Sequence, residues 1–184
     1  MTRSARAWAL LALPVILAGC AGESAAASPS PSPAATAAAA SGPPANALMV
    51  CSEDIRSKVQ QALGLSAEPH TSATWAHPVY TCDYDLPMGR MTLRVRVLPG
   101  KAQAAARLVA DQKATPGAQP LAGLGEQAWG TPDGTAAVLK DNQILTVDTT
   151  GLPAVFGANK QQRDDFAYEV ASDVLGCWTG DGDE

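Results

Sequence analysis

The run M-T-L-R-V-R-V-L over residues 91–98 constrains this chain most. Met91, Leu93, Val95 and Val97 alternate with Thr92, Arg94 and Arg96. A period of two is that of a strand with one buried and one solvated face. A second β-like run, 80–86, precedes it across the turn P-M-G-R, and strands joined so tightly run antiparallel. Downstream, T-P-D-G-T and K-D-N-Q are hairpin turns that separate three more runs, 126–130, 136–140 and 144–149.

Three helical patterns flank these strands. Ser52 can cap a helix whose first turn holds Glu53 and Asp54, favourable at the positive end of the helix dipole. Ile55, Val59, Ala62 and Leu63 then recur at helical spacing, and Gly64 supplies the stop. Residues 100–113, rich in Ala, Leu and Gln, read as a second helix. Asn159 caps a third, with Phe166, Val170 and Val174 on one face and Gly176 as its stop. The expectation is an α+β domain in the order α-β-β-α-β-β-β-α, an antiparallel sheet of about five strands with helices packed on one face.

The N-terminus reads differently. Arg3 and Arg6 precede an apolar run of about 11 residues at 7–17, too short for the roughly 20 helical residues that cross a bilayer. Pro14 interrupts the run and the small residues Ala18 and Gly19 follow it, which suits a secretion signal removed on maturation. L-A-G-C at 17–20 resembles the lipobox of bacterial lipoproteins. That resemblance implies a diacylglyceryl group on the thiol of Cys20 and cleavage before it, so that Cys20 becomes the first residue. Two acyl chains suffice for stable anchoring where one is marginal.

The expected division is a signal peptide at 1–19, a lipidated Cys20 and Ala/Pro/Ser linker at 20–48, one domain at 49–178 and an acidic tail at 179–184. The linker holds no side chains that build a core, so its sequence favours disorder, with a flexible-coil reach of about 30 Å. Without Arg3 and Arg6 the chain has 11 basic and 18 acidic side chains, a net −7. Lacking any Lys/Arg cluster, it does not suit nucleic acid or an anionic membrane surface. The expected location is extracytoplasmic, with attachment to the membrane through Cys20.

Cys51, Cys82 and Cys177 remain, and in an oxidising compartment one disulfide and an odd thiol are expected. A Cys51–Cys82 bond closes a loop of about 32 residues, worth roughly 3.7 kcal/mol in the chain-entropy model. A Cys51–Cys177 bond is open as well if the first and last helices pack antiparallel. C-S-E-D-I before a helix, T-C-D-Y opening a strand, G-L-G-E-Q-A and V-L-K-D-N-Q-I-L-T-V-D together resemble certain actinobacterial lipoproteins that carry a secreted domain of unknown function. The resemblance covers about 100 residues and implies the Cys51–Cys82 pairing. It departs in placing Tyr84 where those proteins have Trp, and in adding Cys177. It brings no catalytic residues.

No constellation calls for a catalytic centre, a metal or a cofactor. His70 and His77, seven apart between prolines, have no zinc-ligand spacing and read as surface-loop residues. No serine sits in a nucleophile elbow. G-L-G-E at Gly123 reads as a turn into a strand rather than a dinucleotide loop. Asp181, Asp183 and Glu184 lack calcium-loop spacing. Arg94 and Arg96 share a strand face, where they would present cations to an anionic ligand, and Trp75, Tyr80, Tyr84 and Trp129 are candidates to line a cleft; of these, Arg94, Arg96, Trp75 and Tyr84 form the candidate binding set. The expected function is a lipid-anchored, non-catalytic binding domain for an envelope protein, lipid or small ligand. The alternatives are a secreted, membrane-anchored, hydrolase-like enzyme using Asp83, Asp85 or His77 in a cleft, and a structural envelope spacer.

Overall fold

The computed structural model describes residues 42–157 and 160–180. The signal peptide, Cys20, the linker as far as residue 41, the Asn159 cap and the acidic residues 181–184 lie outside the described residues. A short helix α1, Ala45–Leu48, leads through a 3-10 turn, Met49–Cys51, into α2, Glu53–Leu63. Ala47 and Val50 are fully buried, so the domain begins inside the stretch that composition assigns to the linker. The Ser52 hydroxyl accepts from the Ile55 N–H at 3.4 Å, and Gly64 closes α2 with φ +61°, a left-handed conformation that favours glycine.

Three strands follow: β1, His70–Ala76, β2, Val79–Leu86, and β3, Gly89–Val97. After α3, Lys101–Ala114, come β4, Gln119–Pro120, β5, Gln127–Thr131, β6, Thr135–Lys140, and β7, Gln143–Gly151. A two-stranded ribbon, β8, Val155–Phe156, with β9, Gln161–Gln162, leads to α4, Arg163–Gly180. The main sheet has seven antiparallel strands in the order β1-β2-β3-β7-β6-β5-β4, rather than about five. The α+β class stands, and the additional strands are the two edges. His70 opens β1 instead of lying in a loop. Gly176 does not stop α4, because Trp178 beyond it is buried and donates its indole Nε1 to the Asn46 carbonyl at 2.9 Å.

The helices do not share one face. On one side, Ile55 and Val59 of α2 and Phe166, Val170, Ala171 and Val174 of α4 pack on Tyr80, Cys82, Tyr84, Met91, Leu93, Val95, Ala136, Val138, Leu145 and Val147. Lys58 ties α2 to α4 through Asp173 at 3.1 Å, and this partner raises the Lys58 pKa. On the opposite side, Ala104 and Leu108 of α3 pack on Trp129, Ala137, Leu139 and Ile144. The reason is in β6: Ala136, Ala137, Val138 and Leu139 are all buried in succession, so that strand needs cover on both faces.

Cys51 and Cys82 form a disulfide, with Cα atoms 5.6 Å apart, while Cys177 is a free, half-buried thiol. The bond fastens the 3-10 turn to β2. Two residues along, the Tyr84 hydroxyl donates to the Val50 carbonyl at 2.6 Å, a second tie between the same two elements.

Candidate functional site: the uncovered face of β1–β3

Helix α3 lies over β5, β6 and β7, and among the described residues no helix packs on the same side of β1, β2 and β3. Because alternate residues of a strand face opposite ways, that side carries the outward set of all three strands. The cross-strand register orders them in rows. His70 stands beside Asp85 and Asp85 beside Arg90; Ser72, Asp83, Thr92 and Asp148 form the next row; Thr74, Thr81, Arg94 and Thr146 the third; Ala76, Val79, Arg96 and Ile144 the last.

Most of the charges in these rows are matched. Arg90 donates to Asp85 from Nη2 at 2.9 Å and from Nε at 3.1 Å, and His70 Nδ1 lies 3.6 Å from the same carboxylate. The Arg90 guanidinium, with His70 as a smaller contributor, holds the Asp85 carboxyl below its usual range. The Thr92 hydroxyl donates to Asp83 at 2.6 Å. Arg94 donates to Asp148 at 3.4 Å, and Asp148 also accepts from the Thr150 backbone and hydroxyl. Opposite charges across neighbouring strands stabilise a sheet by a few tenths of a kcal/mol to about 1 kcal/mol each. Arg96 is the exception. It is half-buried between Val79 and Ile144 and has no hydrogen-bond or ion-pair partner among the described residues.

The predicted site residues separate accordingly. Arg94 and Arg96 share this face as expected, Arg94 already paired and Arg96 not. Tyr84 leaves the ligand-lining set: it is fully buried, its hydroxyl is spent on Val50, and burial pushes its pKa far up. Tyr80 and Trp129 are core residues on opposite sides of the sheet. Trp75 is half-buried at the edge strand, its ring meeting His77 edge-on at 5.5 Å between centroids. His77 lies in the β1–β2 turn, whereas Asp85 is paired with His70 at the other end of β1. A seven-residue strand is about 23 Å long, so His77 and Asp85 do not meet in one cleft.

Two of the hollows among the described residues escape the sequence reading. One, of about 250 Å³, lies between the β5–β6 hairpin and the start of α4, and Asp164, Asp165, Tyr168, Thr131 and Leu121 line it. Asp164 and Tyr168 stand four apart, on one face of α4, a spacing present in the sequence. The other, of about 340 Å³, is apolar and lies at the end of β3, bordered by His77, Pro78, Val97, Leu98 and Pro99. Among the described residues, no group of three or more His, Cys, Asp or Glu is placed to hold a metal ion, and no helix is long and apolar enough to cross a membrane.

Searches against protein-family models, curated proteins and solved structures gave no match to this chain.

Proposed function

We propose that this chain is a lipid-anchored extracytoplasmic lipoprotein of the cell envelope, held by diacylated Cys20, whose domain binds a partner non-catalytically through the β1–β3 face. The observation that carries the binding reading is that face itself: a polar half-sheet surface, covered by no helix among the described residues, on which Arg96 is the one charged side chain with no partner among them. A half-buried cation beside the half-buried Val79 suits an anionic group delivered with some apolar contact. The disulfide supports the compartment, since such bonds persist outside the reducing cytoplasm.

Two measurements test the two halves of the reading. Mass spectrometry of membrane-extracted protein is expected to find diacylated Cys20 as the first residue; an unmodified or differently cleaved terminus overturns the anchor. A photo-crosslinking residue at Thr81, on the uncovered face, is expected to capture an envelope component that the same residue at Gln112 of α3 does not. Equal capture at both positions refutes the face.

A further inference from the structure

The two edges of the sheet are built differently. At one edge β4 is two residues long and ends on Pro120, which has no N–H to offer. At the other, β1 runs seven residues, H-T-S-A-T-W-A, with no Lys, Arg, Asp, Glu or Pro, and pairs with β2 without a bulge. Long edge strands are usually guarded by such charges, prolines or bulges, because their free backbone groups accept another strand.

The register fixes which groups are free. The Val97 N–H donates to the Pro78 carbonyl at 2.9 Å, so the backbone groups of Pro78, and alternately of Tyr80, Cys82 and Tyr84, turn toward β3. Those of Val79, Thr81, Asp83 and Asp85 then turn toward β1, where they meet Ala76, Thr74, Ser72 and His70. Thr71, Ala73 and Trp75 are left with N–H and C=O directed away from the sheet.

We propose that β1 pairs antiparallel with β1 of a second copy about a two-fold axis at Ala73, joining the two sheets into one. This register uses every outward backbone group. It sets Ala73 against Ala73 of the second copy, so that nothing bulky holds the centre apart. Thr71 faces the second copy's Trp75, a β-branched side chain against an aromatic, and Ser72 faces its Thr74, hydroxyl against hydroxyl. Neither side of the join carries a formal charge, so a second copy meets no like-charge opposition in a chain that is otherwise net acidic. The join places the two polar β1–β3 faces side by side as one surface. A contact of one short strand per side is small, so the dimer is weak and exchanges readily. The inference does not depend on lipidation or on any ligand.

The test uses full-length chains in detergent solution carrying Ser72→Cys or Thr74→Cys with different tags, mixed and mildly oxidised. In the proposed register positions 72 and 74 of the two copies are directly opposed, about 4.5 Å apart at Cα, within disulfide reach, whereas like positions sit diagonally offset. The mixed pair is expected to give several-fold more covalent dimer than either variant alone or than the unsubstituted chain, which reports the background from Cys177 and from any unlipidated Cys20. Ala73→Lys added to both chains is expected to return the yield to background, while Gln119→Lys on β4 leaves it unchanged. Equal yields from the mixed and like pairs, or a yield that survives Ala73→Lys, overturn the proposal.

Discussion

Removing the Cys51–Cys82 bond by the paired substitution Cys51→Ala and Cys82→Ala tests how the N-terminal turn is held. The two cysteines are 31 positions apart, and a closed loop of about 32 residues corresponds to roughly 3.7 kcal/mol of chain entropy removed from the unfolded state. For a domain of this size each kcal/mol moves the melting temperature by about 3–5 °C, so the pair is expected to lower it by about 11–18 °C. Tyr84→Phe acts on the same junction. It leaves the Val50 carbonyl buried without its 2.6 Å donor, at a cost of about 1–3 kcal/mol. Because both ties fasten the turn Met49–Cys51 to β2, the triple variant is expected to lose less than the two losses added, the turn having already come away. Urea and thermal melts of the parent, the pair, Tyr84→Phe and the triple variant supply the comparison. A loss below about 1 kcal/mol for the cysteine pair, or full additivity in the triple variant, refutes this account of the junction.

Three further outcomes are expected. Burial raises the Tyr84 pKa, so its contribution to stability is present below the unfolded tyrosine value near pH 10 and is lost above it by about 1.4 kcal/mol per pH unit; urea melts between pH 8 and 11.5 should show this slope flattened in Tyr84→Phe. Arg90→Gln should raise the Asp85 carboxyl pKa toward the ordinary carboxylate range in an NMR titration, since Arg90 is the largest cause of its depression; the stability Asp85 contributes is present above the unfolded carboxylate value, is lost as pH falls, and should shrink in the variant. Gly125→Ala should destabilise the domain by about 1–3 kcal/mol in urea melts, because φ is +51° there and a Cβ would stand 2.5 Å from the Leu139 carbonyl.

How much of this fold the sequence discloses varies by element, for physical reasons. The alternation of β3, the turns T-P-D-G-T and K-D-N-Q, and the Ser52 and Gly64 ends of α2 are local signals, and each lies where its chemistry places it. Strand β1 was illegible because an edge strand exposed on most of its surface needs no apolar alternation; only Trp75 and the half-buried Thr71 turn toward cover. The second face was legible in principle. A run of four apolar residues, Ala136 to Leu139, does not alternate, and a strand without alternation is buried on both sides. The pairing of β3 with β7, which sets Arg94 beside Asp148, spans more than fifty residues and leaves no local trace. For the same reason the sequence placed Arg94 and Arg96 on one face but did not separate the paired arginine from the one with no partner among the described residues.

That separation distinguishes a binding role from a structural one on the uncovered face. If the cations of β3 serve only to balance the sheet, Arg94 matters and Arg96 does not: Arg94→Thr removes an exposed ion pair with Asp148, worth about 1 kcal/mol or less. Arg96→Thr removes no ion pair among the described residues and forfeits only the packing of its stem against Val79 and Ile144. If the face binds an anionic partner, the order inverts. Arg96→Thr should leave urea melts within about 0.5 kcal/mol of the parent and still reduce photo-crosslinking from Thr81 several-fold. Arg94→Thr should do the reverse, lowering stability slightly while most of the crosslink is retained. Arg96→Lys provides the last check. A point charge restored at the same position recovers capture only in part if the partner is held through the planar fork of the guanidinium. Full crosslinking in Arg96→Thr would reduce the β1–β3 face to a solvated, charge-balanced half of the sheet and would shift attention to the cleft of Asp164, Asp165 and Tyr168.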